Sequence, residues 1–208
     1  GKTPEEYVEY WNKRDFEDFE AFNIKFDFFY KTSSPENRQF VQDVFKKLEQ
    51  AGHIYENEII QLYCNTDKKF LPDRYVIGTC PYCKADDQYS DLCEKCGRVP
   101  AEIENPHCSI CGQTPVKEKT KHYFFKLKNF SNKLSQYLES NQNLQKDVKK
   151  YVQNWIKEGL IDWDITRDIS WGVPIPVDDE KGKVFYGWFD NHLAHISSAI
   201  KFLNDTGK

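Results

Sequence analysis

Cysteine spacing constrains this 208-residue chain more than any other feature: of its seven cysteines, six fall in three Cys-x-x-Cys pairs. An odd total argues against a closed disulfide framework. Each pair is too tight for an ordinary disulfide, but it suits a knuckle turn whose two thiolates aim at one metal ion about 2.3 Å away. Cys80-x2-Cys83 followed by Cys93-x2-Cys96, with Gly97 just after, supplies four thiolates and a closed tetrahedron, the pattern of a structural zinc site. The competing readings are a redox dithiol and buried thiols without metal. A thioredoxin-like dithiol wants a single Cys-x-x-Cys opening a helix after a strand, whereas here three pairs crowd a stretch rich in Gly, Pro and Asp.

Cys108-x2-Cys111 has no second cysteine pair of its own. Cys64-Asn65-Thr66-Asp67 repeats the spacing with a carboxylate in the last place, and a carboxylate oxygen ligates zinc at about 2.0 to 2.2 Å. Cys64, Asp67, Cys108 and Cys111 then form a second site nested around the first. His107 is an alternative to Asp67, although its adjacency to Cys108 strains a shared tetrahedron. The bland reading is a knuckle held by packing alone, with Asp67 in water.

Around the cysteines the chain reads as mixed α and β. Thr3-Pro4-Glu5-Glu6 is a capping box with Pro at the first helical position, predicting a helix from Pro4 to about Arg14. Phe22, Ile24, Phe26, Phe28 and Phe29 predict a buried strand within Asp18 to Tyr30. Ser34-Pro35-Glu36 starts a second helix striped by Phe40, Val41, Val44, Phe45 and Leu48, with Gly52 as its stop. Ile59 to Tyr63, Lys69 to Val76 and His122 to Leu127 read as extended. Phe130 to Glu139 reads as a short helix, and Leu144, Val148, Tyr151, Val152, Trp155 and Ile156 stripe a longer one ending at Gly159. Val184 to Phe189 reads as a strand followed by a helix over Asn191 to Leu203.

Lys and Arg total 29 against 33 Asp and Glu, a net charge of −4, which excludes a broad basic surface driven by counterion release. The clusters Lys117, Lys119, Lys121 and Lys146, Lys149, Lys150 read as solvated faces. No apolar run approaches the roughly 20 residues that span a bilayer, and no cleavable leader opens the chain, so a cytoplasmic protein without membrane contact is expected. Methionine is absent and the first residue is Gly1, which predicts a processed or cut N-terminus.

Several longer strings converge on one family. Phe70-Leu71-Pro72-Asp73-Arg74-Tyr75-Val76, Gly78-Thr79-Cys80-Pro81 and Asp91-Leu92-Cys93-Glu94-Lys95-Cys96-Gly97 resemble the zinc-knuckle insertion of methionyl-tRNA synthetases. Trp163 to Asp168, Trp171-Gly172-Val173-Pro174-Ile175-Pro176 and Gly182 to Asp190 resemble that family's return into its catalytic fold, and Phe22-Asn23-Ile24 and Glu36-Asn37-Arg38-Gln39 match upstream. The resemblance implies an α/β fold, part of a split Rossmann-type class I catalytic domain carrying a long α+β connective insertion with zinc knuckles. Residues 1–34 and 186–208 would be edges of the catalytic fold and 35–185 the insertion, with the knuckles within 61–125. It also implies an ATP-dependent ligase using Mg²⁺, which activates methionine and passes it to the acceptor end of tRNA(Met), with zinc as the structural metal. Residue by residue, Trp163 matches an aromatic that closes on methionine, Arg167 an arginine of amino-acid activation, and Trp188 a pocket tryptophan. Asp190 and His195 fall in the same pocket segment. On composition and spacing alone the tryptophans read equally as core, and Arg167 as the partner of Asp164 or Asp168.

The pattern also breaks. Without methionine no KMSKS loop is present, and nothing before Gly1 holds a HIGH motif, so this stretch alone is expected to make no adenylate. His192-Leu193-Ala194-His195 does not replace HIGH, because Ala194 stands where a glycine would permit close approach. After Trp188-Phe189-Asp190 the family commonly continues Ala-Pro-hydrophobic-Gly-Tyr, whereas here Asn191 to His195 follow, leaving His195 to keep the tyrosine's hydrogen bond. A free-standing zinc-ribbon module that binds RNA, and a purely structural metal domain, are the competing functions. Net acidity and the lack of interleaved basic and aromatic residues count against the first.

Overall fold

The computed structural model describes residues 1–177 and 182–207. Its helices are α1 (Pro4–Ala21), α2 (Pro35–Gln50), α3 (Ser131–Ser140), α4 (Lys146–Glu158) and α5 (Gly187–Thr206). Its strands are β1 (Ile54–Cys64), β2 (Lys69–Phe70), β3 (Val76–Thr79), β4 (Gln88–Tyr89), β5 (Glu104–Cys108), β6 (Val116–Phe125), β7 (Trp163–Asp164), β8 (Thr166–Arg167) and β9 (Val184–Phe185). Two compact units result: Gly1–Lys47 with Ser170–Lys208, and Leu48–Ile169.

In the first unit the capping box forms as expected, with the Glu6 N–H donating to Thr3 Oγ1 at 3.2 Å and the Thr3 N–H to Glu6 Oε2 at 2.8 Å. The helix, however, runs past Arg14 to Ala21, and no strand forms over Asp18 to Tyr30. Asn23 ends it in the left-handed conformation, with the Asn23 N–H on the Glu20 carbonyl and the Ile24 N–H on the Phe19 carbonyl. The chain then folds back on its own helix. Phe16, Phe19, Phe26 and Phe29 pack together with ring centroids 4.9 to 5.9 Å apart, so the alternating aromatics form a local cluster instead of a sheet face.

Ser34 caps α2 by accepting the Asn37 N–H at 3.1 Å, and Gly52 stops it at φ +74°. Val41 and Phe45 face inward, and with Val173, Ile175, Val184, Phe185, Phe189 and Ala194 they make the core of this unit. The strand expected over Val184 to Phe189 is only two residues long. Tyr186 already caps α5, and Trp188 and Asp190 lie in that helix's first turns. A short apolar run fits strand and buried helix equally, so the run alone does not place this boundary.

The second unit is built on an antiparallel sheet in the order β2-β1-β6-β7, whose long β1–β6 ladder pairs Ile54 with Phe125 through to Tyr63 with Val116. One face is solvated as expected: Lys119 pairs with Glu58 and Lys121 with Glu56 across the strands, and Lys117 reaches Glu102. A smaller sheet, β4-β3-β5, lies between the cysteine pairs. Cys64, Leu71, Val76, Ile103 and Cys108 form its small core. α3 and α4 occupy their expected segments and Gly159 ends α4, but no residue of α4 is buried. Among the described residues no helix is long and apolar enough to cross a membrane.

Candidate functional site

Four copies of one turn build two ligand clusters. In each, a residue four after the first cysteine adopts the left-handed conformation: Lys68, Lys84, Gly97 and Gly112, at φ +52°, +59°, +68° and +73°. In the three Cys-x-x-Cys copies that residue's N–H donates to the first cysteine's carbonyl, and the cysteine N–H donates to the carbonyl five residues on (Ala85, Arg98, Gln113). In the fourth copy Cys64 pairs with Lys69, also five residues on. The Cys64 to Asp67 segment is therefore a true knuckle with a carboxylate in its last place.

The pairs converge as the spacing predicted. Cys80, Cys83, Cys93 and Cys96 bring four sulfurs within 4.8 Å of one another, and Cys64, Asp67, Cys108 and Cys111 do the same with three sulfurs and an oxygen. Sγ–Sγ distances are 3.9 Å for Cys80 and Cys96, 3.6 Å for Cys83 and Cys93, and 3.4 Å for Cys64 and Cys111. The edge of a ZnS₄ tetrahedron with 2.3 Å bonds is about 3.8 Å, so the donor sets fit zinc, while a disulfide near 2.05 Å does not describe them. Asp67 Oδ2 lies 3.2 Å from Cys64 Sγ and 3.1 Å from Cys108 Sγ. Both clusters could hold a zinc ion. Gln88 supports the first from outside, its Oε1 accepting the Glu94 N–H at 2.9 Å beside Cys93 Sγ at 3.4 Å.

Electrostatics shows what such clusters lack. Burial raises the Cys80 thiol, but the N–H groups of Cys83 and Tyr82 and the neighbouring sulfurs outweigh it and bring the thiol down to about 7. The Arg98 N–H favours the Cys96 thiolate, yet burial and the three other sulfurs push it up to about 11. The Asp67 carboxylate, with burial and two more sulfurs, pushes Cys111 up to about 12 against the Gln113 N–H. Asp67 itself is held low by the thiols of Cys111, Cys108 and Cys64. Ligands that resist becoming anionic together are those a divalent cation deprotonates on binding.

In the same unit, Trp163 and Asp164 pair with Phe125 and Phe124 on β6. Arg167 is held from two sides: its Nε donates to Asp73 Oδ2 at 3.2 Å, and its Nη1 donates to the Thr166 carbonyl at 2.7 Å and lies 3.5 Å from Asp164 Oδ2. Asp73 belongs to the Pro72-Asp73-Arg74 turn leading into the first knuckle. The arginine is thus tied to the metal ribbon as well as to its own segment.

Trp188, Asp190 and His195 lie on α5 in the other unit. Trp188 is exposed, its ring centroid 5.8 Å from that of His192, and His195 is exposed as well. Asp190 is buried, and its Oδ1 has no hydrogen-bond partner. It borders a cavity of about 180 Å³ shared with Glu5, Glu9, Lys31, Arg38 and Trp171. Burial pushes Asp190 up to about 6, partly offset by the N–H groups of Asn191 and Asp190.

A family model described as "tRNA synthetases class I (M)" matches residues 1–208, the whole chain. The chain belongs to this synthetase family. Among curated relatives it is 45% identical over 213 residues to "Methionine--tRNA ligase" of Methanopyrus kandleri, covering 100% of this chain and 32% of the relative. It is 46% identical over 199 residues to the protein of the same name from Methanocaldococcus jannaschii, covering 95% of this chain and 30% of the relative. The chain therefore spans about a third of the length of the curated relatives it matches. Among solved structures, Mycobacterium tuberculosis methionyl-tRNA synthetase in complex with methionyl-adenylate is similar at a TM-score of 0.57 and 21% identity, over 87% of this chain and 31% of that one. The apo form of the same protein gives 0.59 and 20%, over 97% and 36%. The fold is that of a class I synthetase, mixed α/β, as the resemblance implied.

Within this synthetase chain, sequence reasoning missed His122. Thr120, His122 and Phe124 alternate onto one face of β6, and a histidine on the face opposite the Lys119–Lys121 pairs is the signal that could have flagged it. The sequence places Asp190 in a pocket segment, but does not reveal a buried carboxylate with one oxygen unpartnered.

That carboxylate predicts a pH effect. Its folded pKa lies above the ordinary value of about 3.9, so the folded chain binds the proton more tightly, and stability falls as pH rises from about 4 through 6. Asp190→Asn is expected to stabilise this unit by about 1–2 kcal/mol at pH 7.5, allowing for partial exposure, and to gain little near pH 4. Urea unfolding of both proteins at the two pH values measures the difference. An equal gain at both would refute the assignment.

Proposed function

We propose that this chain is the portion of a methionine–tRNA ligase that contains the connective insertion and its flanks. The observation that carries the reading is the match along the entire chain, so that both ligand clusters, the Arg167 segment and the Trp188 helix all fall inside one family's pattern. The free-standing zinc-ribbon reading is not favoured, because a separate module would account for the cysteine region but not for the segments on either side.

On this reading the insertion expected over 35–185 narrows to Leu48–Ile169, because Val41 and Phe45 of α2 and Val173, Ile175, Val184 and Phe185 share one unit with 1–34 and 186–208, and that unit belongs to the catalytic fold of a cytoplasmic enzyme. Both knuckle clusters hold zinc: Cys80, Cys83, Cys93 and Cys96 in one, and Cys64, Asp67, Cys108 and Cys111 in the other. The ion supplies closure of the ribbon and no step of the reaction. Substrates are methionine, ATP with Mg²⁺, and the acceptor end of tRNA(Met). Trp163 and Trp188 offer flat apolar surfaces suited to a thioether. Arg167 keeps a fixed guanidinium, which balances charge on a carboxylate or phosphate as it develops. On α5, His195 lies two helical turns from Trp188 on the same exposed side, while Asp190, half a turn from Trp188, faces inward; both are proposed contributors to amino-acid binding.

The test is Arg167→Ala in the longest reading frame that carries this chain, assayed by methionine-dependent exchange of pyrophosphate into ATP. The expected result is a fall of about 100-fold in kcat with KM for methionine changed only a few-fold. Unchanged exchange would remove Arg167 from the mechanism, and no exchange from the unsubstituted protein would remove the ligase reading.

A further inference from the structure

His122 is completely buried on β6 and lies between two carboxylates. Its Nδ1 is 3.0 and 2.9 Å from Asp164 Oδ1 and Oδ2, and its Nε2 is 2.9 Å from Asp168 Oδ2. Ionised carboxylates only accept hydrogen bonds, so both ring nitrogens must donate, and only the imidazolium has two N–H groups. Both carboxylates are held further. The Thr120 hydroxyl donates to Asp168 Oδ2 at 2.8 Å, and the Thr166 N–H donates to Asp164 Oδ1 at 3.1 Å. On the neighbouring strand His122 faces Asn57 in register, while Glu56 and Glu58 engage Lys121 and Lys119.

The two aspartates bracket Arg167 in sequence. Continued through the Arg167 contacts with Asp164 and Asp73, the side chains form a row of alternating sign: Asp73, Arg167, Asp164, His122, Asp168. A single buried cation on β6, a strand of the sheet whose β1 and β2 carry the Cys64 to Asp67 knuckle, thus pins both ends of the short segment that presents Arg167. Low dielectric makes such a fully satisfied network stiff and makes the loss of its central charge disruptive.

We propose that His122, as a buried imidazolium shared by Asp164 and Asp168, is the positioning residue that holds the Arg167 guanidinium in its working orientation. The functional half of this proposal rests on the reading of Arg167 given above. The structural half does not.

Nuclear magnetic resonance of the zinc-loaded chain labelled with ¹⁵N at histidine and arginine tests the structural half. Both His122 ring nitrogens are expected to appear as N–H, and to remain so well above the pH at which ordinary histidines titrate. A bare ring nitrogen at neutral pH overturns the imidazolium. His122→Gln is expected to broaden or erase the slowly exchanging Arg167 Nε–H signal. Should that variant fail to fold, Asp168→Asn, which keeps shape and removes one charge, is expected to weaken the same signal. An unchanged Arg167 signal in either folded variant overturns the clamp.

Pyrophosphate exchange in the full-length protein tests the functional half. His122→Gln is expected to lower kcat about 10-fold or more with KM for methionine nearly unchanged, and to add nothing to Arg167→Ala. Additive losses in the double variant overturn action through Arg167. If Arg167→Ala is itself silent, the role assigned to Arg167 fails, and the spectra alone decide whether His122 is the clamp.

Discussion

Cys93→Ser is expected to remove the zinc ion proposed for the Cys80, Cys83, Cys93 and Cys96 cluster and to unfold the ribbon between Thr79 and Arg98, leaving the Cys64, Asp67, Cys108 and Cys111 cluster in place. Cys93 is fully buried, with its sulfur 3.6 Å from that of Cys83, so a serine hydroxyl leaves a three-thiolate site and a poor fourth ligand. The ribbon has little else to hold it. Its apolar core is Leu71, Val76 and Ile103 with Cys64 and Cys108, themselves proposed ligands of the second cluster, far short of what an independent unit of this size needs. Structural zinc supplies apparent free energies on the order of 10–16 kcal/mol in small metal peptides, which is larger than any packing term available here. Native mass spectrometry should count two zinc ions in the unsubstituted chain and one in the variant, and hydrogen exchange should lose protection in β4 and in the Cys80 and Cys93 knuckle turns. Retained protection together with an unchanged zinc count would mean that the thiols are not structural ligands. Acidification should act like the substitution, because protons compete with the metal for thiolates and for Asp67.

The metal clusters were legible because their information is local. A Cys-x-x-Cys followed by a residue that tolerates positive φ specifies a knuckle within six positions, and even the Asp67 variant kept that spacing. Helices with explicit punctuation were legible for the same reason: the Thr3-Glu6 box, the Ser34 cap and the Gly52 and Gly159 stops each bind a neighbouring backbone group. What failed lacked local punctuation. Nothing after Arg14 announces that α1 continues to Ala21, because its stop is the left-handed Asn23, a weaker signal than glycine. The aromatics from Phe22 to Phe29 carry the period of a strand, but Phe26 and Phe29 pack on Phe16 and Phe19 of the preceding helix, Phe28 packs on Tyr30 and Phe202, and Phe22 is exposed, none of which alternation reveals. His122 was illegible for a stronger reason. Its significance lies in Asp164 and Asp168, more than 40 positions away, and no spacing rule connects a strand histidine to carboxylates brought alongside by sheet pairing.

Phe45→Ala is expected to destabilise the first unit by about 3–5 kcal/mol. The ring is fully buried on α2, with its centroid 5.2 Å from that of Phe185, which in turn lies 5.2 Å from Phe189 on α5. This aromatic row and Val41 carry much of the unit's inward packing, since α1 contributes no buried residue. Removing its end leaves a cavity that two helices and the short β9 can close only by shifting α5, and with it Trp188 and Asp190. The expected loss corresponds to a drop in Tm of roughly 10 °C for a chain of this length. Tyr7→Ala on α1 serves as the control: it also deletes an aromatic ring, but from an exposed site, and is expected to stay within about 0.5 kcal/mol. Urea unfolding of the zinc-loaded proteins, followed by circular dichroism, compares the two. Equal losses would mean that α1 packs in solution as tightly as α2, whereas a large loss for Phe45 alone ties the placement of the Trp188 to Asp190 turn to a core that owes nothing to metal.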